Sequence, residues 1–137
     1  ETNTVIGGEG NGGDIYPESH YGRDALVGVG LFLSHFVAEG KSMTALKATY
    51  PQYFISKNKL TLSPDMDVDK ILEGLKEKYA SEEITDIDGV KIDFKDGWVH
   101  LRKSNTEPII RIYSESKDEA AANRLAEEVI KVAKSLY

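Results

Sequence analysis

The chain has 137 residues, of which 40% are apolar and 29% charged, so it can bury a hydrophobic core but can form no more than about two small domains. Its 23 acidic and 17 basic residues give a net charge of -6, which disfavours general binding to nucleic acid or to an anionic membrane. It has no cysteine, no apolar run near the roughly 18 residues of a membrane span, and no signal-peptide pattern at its start, so we expect a cytoplasmic protein without disulfides.

Two regions of different composition meet near residue 50. The first 49 residues contain most of the glycines, with only three basic and six acidic residues. The remaining residues show the alternating strand and amphipathic-helix patterns of a compact α+β unit. We therefore predict a boundary at Thr49 to Pro51, which separates a domain of residues 1–49 from one of residues 50–137.

The first region begins with a short apolar strand predicted over 4–6, followed by a glycine loop over 7–13. A helix predicted from about 22–24 to 38 is apolar on nearly every face, which is typical of a helix buried on nearly every face. Forty-nine residues cannot cover such a helix, so we expect this region to be the last part of a larger α/β domain. Ser42 is a good N-cap for a short helix over 43–48.

The second region predicts an antiparallel sheet. Asp88-Gly89 and Asp96-Gly97 are dipeptides that tolerate the positive φ angles of tight hairpin turns. An extended stretch over 53–62 comes earlier in the chain. The predicted strands are 84–87, 90–94, 98–101 and 109–113.

Two amphipathic helices are predicted to cover that sheet. Apolar residues recur at i, i+3, i+4, i+7 and i+11 from Val68, and a second apolar stripe runs from Ala122 to Ala133. Ser116 and Glu119 have the spacing of a capping box before the second helix. We predict an α+β fold with a four-stranded antiparallel sheet and helices on one face, preceded by the C-terminal strand, loop and helix of an incomplete α/β domain.

The glycine loop contains Glu9 and Asn11 among glycines that let a ligand approach the backbone closely. Gly8, Gly10 and Gly13 match a dinucleotide-binding pattern, but Pro17 prevents a helix from starting inside the motif, which disfavours nucleotide binding. A carboxylate can accept charge-assisted hydrogen bonds from the hydroxyls of a sugar. The alternative is a surface turn with a solvated glutamate.

The loop over 102–108 is rich in hydrogen-bond donors. Converging guanidinium, hydroxyl, amide and backbone N–H groups match a tetrahedral phosphate, whereas the architectural alternative is a turn whose polar side chains cap its own backbone. Arg111 either adds charge to this loop or pairs with Glu115. The candidate phosphate-binding residues are Arg102, Ser104, Asn105, Thr106 and Arg111.

Together, the glycine loop and the segment Arg102-Lys-Ser-Asn-Thr-Glu-Pro-Ile-Ile-Arg111 resemble the C-terminal portion of the α-D-phosphohexomutases, which include the phosphoglucomutases, phosphomannomutases and phosphoglucosamine mutases. The resemblance implies that residues 1–49 end the family's third domain and that residues 50–137 form its complete fourth domain. That fourth domain has a fold similar to the TATA-binding protein without its DNA function. The whole chain would then be the C-terminal portion of a longer enzyme, in keeping with the absence of an initiator Met.

This resemblance also implies an activity and a division of roles. Family members interconvert hexose 1-phosphate and hexose 6-phosphate through a phosphoserine, with Mg²⁺ and a hexose 1,6-bisphosphate intermediate. Glu9 and Asn11 would hold the sugar, and the donor-rich loop would hold the phosphate that is not transferred. The phosphoserine and the magnesium ligands belong to upstream domains of the same polypeptide, so this chain would contain no catalytic or metal-binding residue.

The sequence departs from the family pattern in the glycine loop. Asn11 and Gly13 stand where many members have serine and histidine, so the preferred hexose stays open. The expected partners are a hexose phosphate and the upstream domains, but neither nucleic acid nor a membrane. The alternative function is a stand-alone phosphosugar-binding or regulatory module without catalysis.

Three aspartates and three histidines have structural interpretations. Asp65, Asp67 and Asp69 lie at a predicted helix start, where acidic side chains favour the helix dipole, rather than at a metal site. His35 and His100 fall in a buried helix and a strand and are interpreted as packing or edge residues. His20 follows the glycine loop and either faces the ligand cleft or has a similar structural role.

Overall fold

A computed structural model of the chain describes residues 3–9, 13–63 and 66–137. The described residues form two compact units, Glu1–Pro51 and Gln52–Tyr137. The elements in chain order are β1 (Gly7–Glu9), β2 (Gly13–Ile15), α1 (Ala25–Glu39), α2 (Met43–Lys47), β3 (Phe54–Thr61), α3 (Val68–Lys78), β4 (Glu83–Thr85), β5 (Val90–Phe94), β6 (Gly97–Lys103), β7 (Ile109–Ser116) and α4 (Glu119–Lys134).

The first unit opens on a small antiparallel hairpin of β1 and β2, in which Gly7 pairs with Ile15 and Glu9 with Gly13. The predicted strand over 4–6 is therefore wrong, because the strand begins where the loop was expected. A strand needs a partner for its backbone groups, and β2 supplies one to β1. Residues 4–6 belong to neither sheet in the described part of the chain.

Helix α1 confirms the predicted helix, and its exposure agrees with the expectation that the first 49 residues cannot cover it. None of its residues is buried, and Leu26 and Val37 are 82% and 77% exposed. His35, expected inside a buried helix, is exposed and lies 3.1 Å from the Tyr50 hydroxyl. Gly40 ends the helix in the left-handed conformation, at φ 59°. The predicted Ser42 cap of α2 is confirmed, since its hydroxyl accepts a hydrogen bond from the Ala45 amide.

Asp24 caps the start of α1, and His20 holds Asp24. The Asp24 carboxylate accepts hydrogen bonds from the backbone amides of Leu26 and Val27 at 2.9 and 3.1 Å. The Gly22 amide donates to His20 Nδ1, so the ring proton resides on Nε2, which donates to Asp24 at 3.0 Å. The hydrogen bond from His20 is the main cause that lowers the pKa of Asp24, followed by the backbone amides.

The second unit is a five-stranded antiparallel sheet in the order β3-β7-β6-β5-β4. The predicted α+β fold is confirmed, but the predicted count of four strands is too low. The stretch over 53–62 contains a regular strand, β3, which pairs with β7 along its whole length from Phe54 to Thr61. The polar residues of β3 made it hard to recognise as a regular strand in the sequence, because an edge strand with one solvated face tolerates lysine and asparagine.

Helices α3 and α4 pack on one face of this sheet and enclose the core. Both predicted apolar stripes are confirmed, with Leu75 and Val129 fully buried. The predicted capping box is wrong. Asp118 caps α4 by accepting from the Ala121 amide, whereas the Ser116 hydroxyl donates to the Asp96 carbonyl because Ser116 is still part of β7.

The two hairpin glycines have different physical roles. Gly89 has φ 79°, in the left-handed region that the turn was predicted to need. Gly97 is not among the glycines with positive φ in the described chain, which corrects that prediction at the second turn. A Cβ atom at Gly97 would lie 2.1 Å from the Glu115 carbonyl oxygen, so close approach of β7 requires glycine there.

Replacing a core side chain of the sheet should destabilise the second unit strongly. Ile112 is fully buried, and Ile112→Ala should lower the free energy of unfolding by about 2 to 5 kcal/mol because it leaves a cavity. Trp98 is the only tryptophan in the sequence and lies in β6, so urea unfolding followed by its fluorescence reports on this unit. The matched control is Ile87→Ala, at a position 93% exposed, which should change stability by less than about 0.5 kcal/mol. Equal losses in both variants would contradict the assigned core.

Removing His20 should raise the pKa of Asp24 toward its ordinary value, because Asp24 loses its strongest hydrogen bond. The measurement is a carbon-13 NMR titration of the Asp24 carboxyl in His20→Ala, with His35→Ala as the control that leaves it unchanged. Since folding lowers this pKa, the Asp24 contribution to stability is present above the unfolded pKa of about 3.9 and is lost as pH falls through the lower folded value. An unchanged Asp24 titration in His20→Ala would show that His20 does not hold the cap.

Candidate functional site

The loop between β6 and β7 borders a concave pocket of about 190 Å³. All five residues predicted to bind phosphate line this pocket, together with Lys103. The lining residues are Arg102, Lys103, Ser104, Asn105, Thr106 and Arg111.

Strand pairing places the two arginines of the pocket side by side. Arg102 of β6 lies directly opposite Arg111 of β7. Their neighbours Leu101, Ile110 and Ile112 are fully buried against the helices. Because side chains alternate along a strand, Arg102 and Arg111 both project from the helix-free face of the sheet. The burial of the core therefore determines where the two cations lie.

Backbone hydrogen bonds hold the loop in a defined shape. The Ser104 amide donates to the Ile109 carbonyl at 2.9 Å, and the Ile109 amide donates to the Glu107 carbonyl at 2.8 Å. The carbonyl of Pro108 accepts from the amide of Leu62, which ties the loop to the chain after β3. These three hydrogen bonds therefore fix the backbone on both sides of the loop.

The small polar side chains of the loop have different environments. Ser104 is 8% exposed, and its hydroxyl accepts a long 3.4 Å hydrogen bond from the Thr106 amide. The two hydroxyls lie 3.5 Å apart. Asn105 and Thr106 are exposed at the tip of the loop. The hydrogen bond to Ser104 agrees in part with the alternative of a turn whose polar side chains cap its own backbone. The side chains of Asn105 and Thr106 nevertheless face solvent.

Each arginine of the pocket has an acidic neighbour. Arg102 Nη1 lies 2.8 Å from Asp88 Oδ2, and Arg111 Nη2 lies 3.7 Å from Glu107 Oε2. The predicted alternative, in which Arg111 pairs with Glu115, is wrong, because the acidic partner of Arg111 is Glu107; Glu115 instead accepts a hydrogen bond from the Trp98 indole at 3.1 Å. Both ion pairs are half-exposed and therefore weak, so a phosphate dianion can compete for the arginines.

The turn before β5 has a role at the pocket that the sequence did not predict. Its Asp88 carboxylate accepts from Arg102, and its Asp88 carbonyl accepts from His100 Nε2 at 2.6 Å. A Cβ atom at Gly89 would lie 2.1 Å from the Leu101 carbonyl oxygen, so the turn packs directly on β6. His100 is thus an edge residue, as expected, and it helps to hold the turn that contacts Arg102. These contacts follow only from the pairing of β5 with β6, because Asp88 is more than ten positions from His100 and Arg102 in the sequence.

The two predicted sugar-binding residues belong to the first unit. Glu9 is the last residue of β1 and pairs with Gly13 of β2. Asn11 lies outside the described residues. Helix α1 begins at Ala25, well after the glycine loop, so its N-terminus does not lie inside the glycine motif.

Neither unit contains a cluster suited to a metal ion among residues 3–9, 13–63 and 66–137. Asp67 caps α3, and the backbone amide of Lys70 is the main cause that lowers the pKa of this carboxyl. Asp65 lies outside the described residues. The described side chains therefore do not fit a Mg²⁺ site. No helix in the described part of the chain is long and apolar enough to cross a membrane.

Comparison with known proteins places these features in a family. Residues 58–132 match the family described as "Phosphoglucomutase/phosphomannomutase, C-terminal domain". The chain is 40% identical over 134 residues to the phosphoglucosamine/phosphogalactosamine mutase of Sulfurisphaera tokodaii, covering 96% of this chain and 30% of that protein. It is also 40% identical over 134 residues to the phosphoglucomutase/phosphomannomutase of Thermococcus kodakarensis, covering 96% of this chain and 29% of that protein.

A solved structure agrees with these sequence relationships. The crystal structure of a phosphoglucomutase/phosphomannomutase family protein from Burkholderia thailandensis superposes with a TM-score of 0.68 and 26% sequence identity, covering 97% of this chain and 29% of that one. The chain thus spans about 30% of the length of the relatives that it matches. With the family match covering more than half of its residues, this chain belongs to the phosphoglucomutase/phosphomannomutase family.

Proposed function

We propose that this chain is the substrate-binding C-terminal portion of a phosphohexomutase, in which the β6–β7 loop binds the phosphate of a hexose phosphate. The observation that carries this proposal is the pocket in which all five predicted phosphate-binding residues converge. Two guanidinium groups, two hydroxyls and an amide match the oxygen atoms of a phosphate monoester.

Residues 1–49 supply sugar recognition in this proposal, and residues 50–137 form the phosphate-binding domain. Glu9 and Asn11 accept hydrogen bonds from the sugar hydroxyls, and Asn11 can also donate. The relatives are named for glucosamine, galactosamine, glucose and mannose substrates, so the proposed ligand class is a hexose phosphate without a preferred sugar.

The catalytic groups of the proposed reaction lie outside this chain. Intramolecular phosphoryl transfer between hexose 1-phosphate and hexose 6-phosphate would use a phosphoserine and Mg²⁺ supplied by upstream domains of the same cytoplasmic polypeptide, with a hexose 1,6-bisphosphate as intermediate. The role of this chain is to hold the phosphate that is not transferred. A near-tetrahedral anion presents similar oxygens from either end of the bisphosphate, so one pocket can serve both orientations of the sugar.

Titration with glucose 1-phosphate should perturb the backbone amides of residues 102–106 in a nitrogen-15 NMR spectrum. Arg102→Ala should weaken this binding by about 2 kcal/mol, because it removes a charged hydrogen-bond donor. The matched control is Arg124→Ala, which removes an exposed arginine from α4 and should leave the affinity unchanged. Shifts that spare residues 102–106 in the unmodified chain would reject the phosphate site.

The 137-residue chain by itself should convert no glucose 1-phosphate to glucose 6-phosphate, because it lacks the phosphoserine loop that the reaction needs. The assay couples glucose 6-phosphate formation to its dehydrogenase, with an intact family mutase as the positive control. Turnover by the chain alone would overturn the proposed division of roles. The alternative, a stand-alone binding module, predicts a gene whose upstream sequence encodes neither a serine loop nor an aspartate-rich loop.

A further inference from the structure

Three cations lie in one row across the helix-free face of the sheet. Lys59 of β3 pairs with Arg111 of β7, which pairs in turn with Arg102 of β6. Lys59 precedes the buried Leu60, so by strand alternation it projects from the same face as the two arginines. Paired residues of antiparallel strands have Cα atoms about 4.5 to 5.5 Å apart, so these side chains are direct neighbours.

Like charges directly opposite each other destabilise a sheet. Among the described residues, only two of the three cations in this row have an acidic neighbour. Asp88 neutralises Arg102, and Glu107 lies near Arg111. Lys59 has no ion pair within residues 3–9, 13–63 and 66–137. The chain has a net charge of -6, but this row of three cations with two acidic neighbours is positive. The fold itself does not require this excess of positive charge.

Protection of the sheet edge does not explain the choice of lysine. Charged residues on an edge strand discourage pairing with other chains, and β3 is an edge strand. A glutamate at position 59 would also place a charge on the edge, and it would in addition pair with Arg111. Lysine opposite arginine therefore points to an anion from outside the sheet.

The excess positive charge is local. A shallow depression of about 290 Å³ next to the phosphate pocket is lined by Lys57, Lys59 and Tyr113 and shares Arg111 with that pocket. Four residues further along the strands, the same face carries acidic side chains, since Glu115 is paired with Trp98, Trp98 with Asp93, and Asp93 with Glu83. This face is thus basic beside the loop and acidic at the other end, which suits a small anion better than a nucleic-acid strand.

From this row we infer that Lys59 is a further phosphate-binding residue, whose ammonium group reaches the phosphate monoester held by the β6–β7 loop from the side of Arg111. The inference rests on the proposed function, because it extends the same site to a third strand. Lysine binds phosphate as a flexible point charge, so it can reach an anion beside Arg111 without the fixed geometry of a guanidinium group. The row of like charges is then stabilised when the ligand binds.

The test measures glucose 1-phosphate affinity by NMR titration of the 137-residue chain, comparing Lys59→Gln with Lys57→Gln. Both variants remove one positive charge from the same face of β3, but Lys57 lies 5.7 Å from the ring centre of Tyr113 and is paired with Tyr113 instead of Arg111. We expect Lys59→Gln to weaken binding roughly three- to fivefold, the upper range for an exposed charge pair, and Lys57→Gln to have a smaller effect. Lys59→Glu should weaken binding more than Lys59→Gln.

A second readout separates ligand binding from a structural role. Lys59→Gln should unfold at the same or a higher urea concentration than the unmodified chain, because it relieves repulsion from Arg111. Weaker binding together with lower stability would therefore overturn the inference, as would equal effects of the two glutamine variants.

The result in the unmodified chain distinguishes the two levels of the proposal. Shifts at residues 102–106 with an unchanged affinity in Lys59→Gln would reject the role of Lys59 and leave the phosphate site intact. Absence of those shifts in the unmodified chain would reject the phosphate site and the role of Lys59 with it.

Discussion

The pairing of β6 with β7 is the constraint on which the pocket at the β6–β7 loop depends. Burial of Leu101, Ile110 and Ile112 against the helices fixes which face each strand presents, and the pairing register then places Arg102 opposite Arg111. A slip of β7 by one residue relative to β6 would turn Arg111 toward the core. The same packing that stabilises the second unit therefore also positions its two pocket cations.

The net charge of this chain does not describe the distribution of charge around its pocket. The chain is acidic overall, yet its pocket contains two arginines beside a lysine. The acidic neighbours Asp88 and Glu107 are half-exposed, so they moderate the repulsion between the arginines without closing the pocket to an anion. The charge at the pocket is the charge that strand pairing brings to one end of the sheet.

The first unit shows a different balance between sequence and structure. Apolar side chains surround α1, but none of them is buried in the described chain. Asp24, held by His20, and Gly40 give this helix well-defined ends even though it lacks a packed environment. Its boundaries are thus set by local hydrogen bonds, whereas its burial depends on neighbours that the local sequence cannot supply.

The sequence by itself determined the amphipathic helices α3 and α4, the turn at Gly89, the donor-rich loop and the family, because periodicity, turn chemistry and motif spacing are local properties. It missed β3 as a full strand, placed β1 too early and assigned the cap of α4 to Ser116 instead of Asp118. Only the tertiary structure decided that Asp88 and His100 support Arg102 and that Lys59 adjoins Arg111. These contacts join residues distant in sequence, and strand order and register, which bring them together, are set by burial of the whole core.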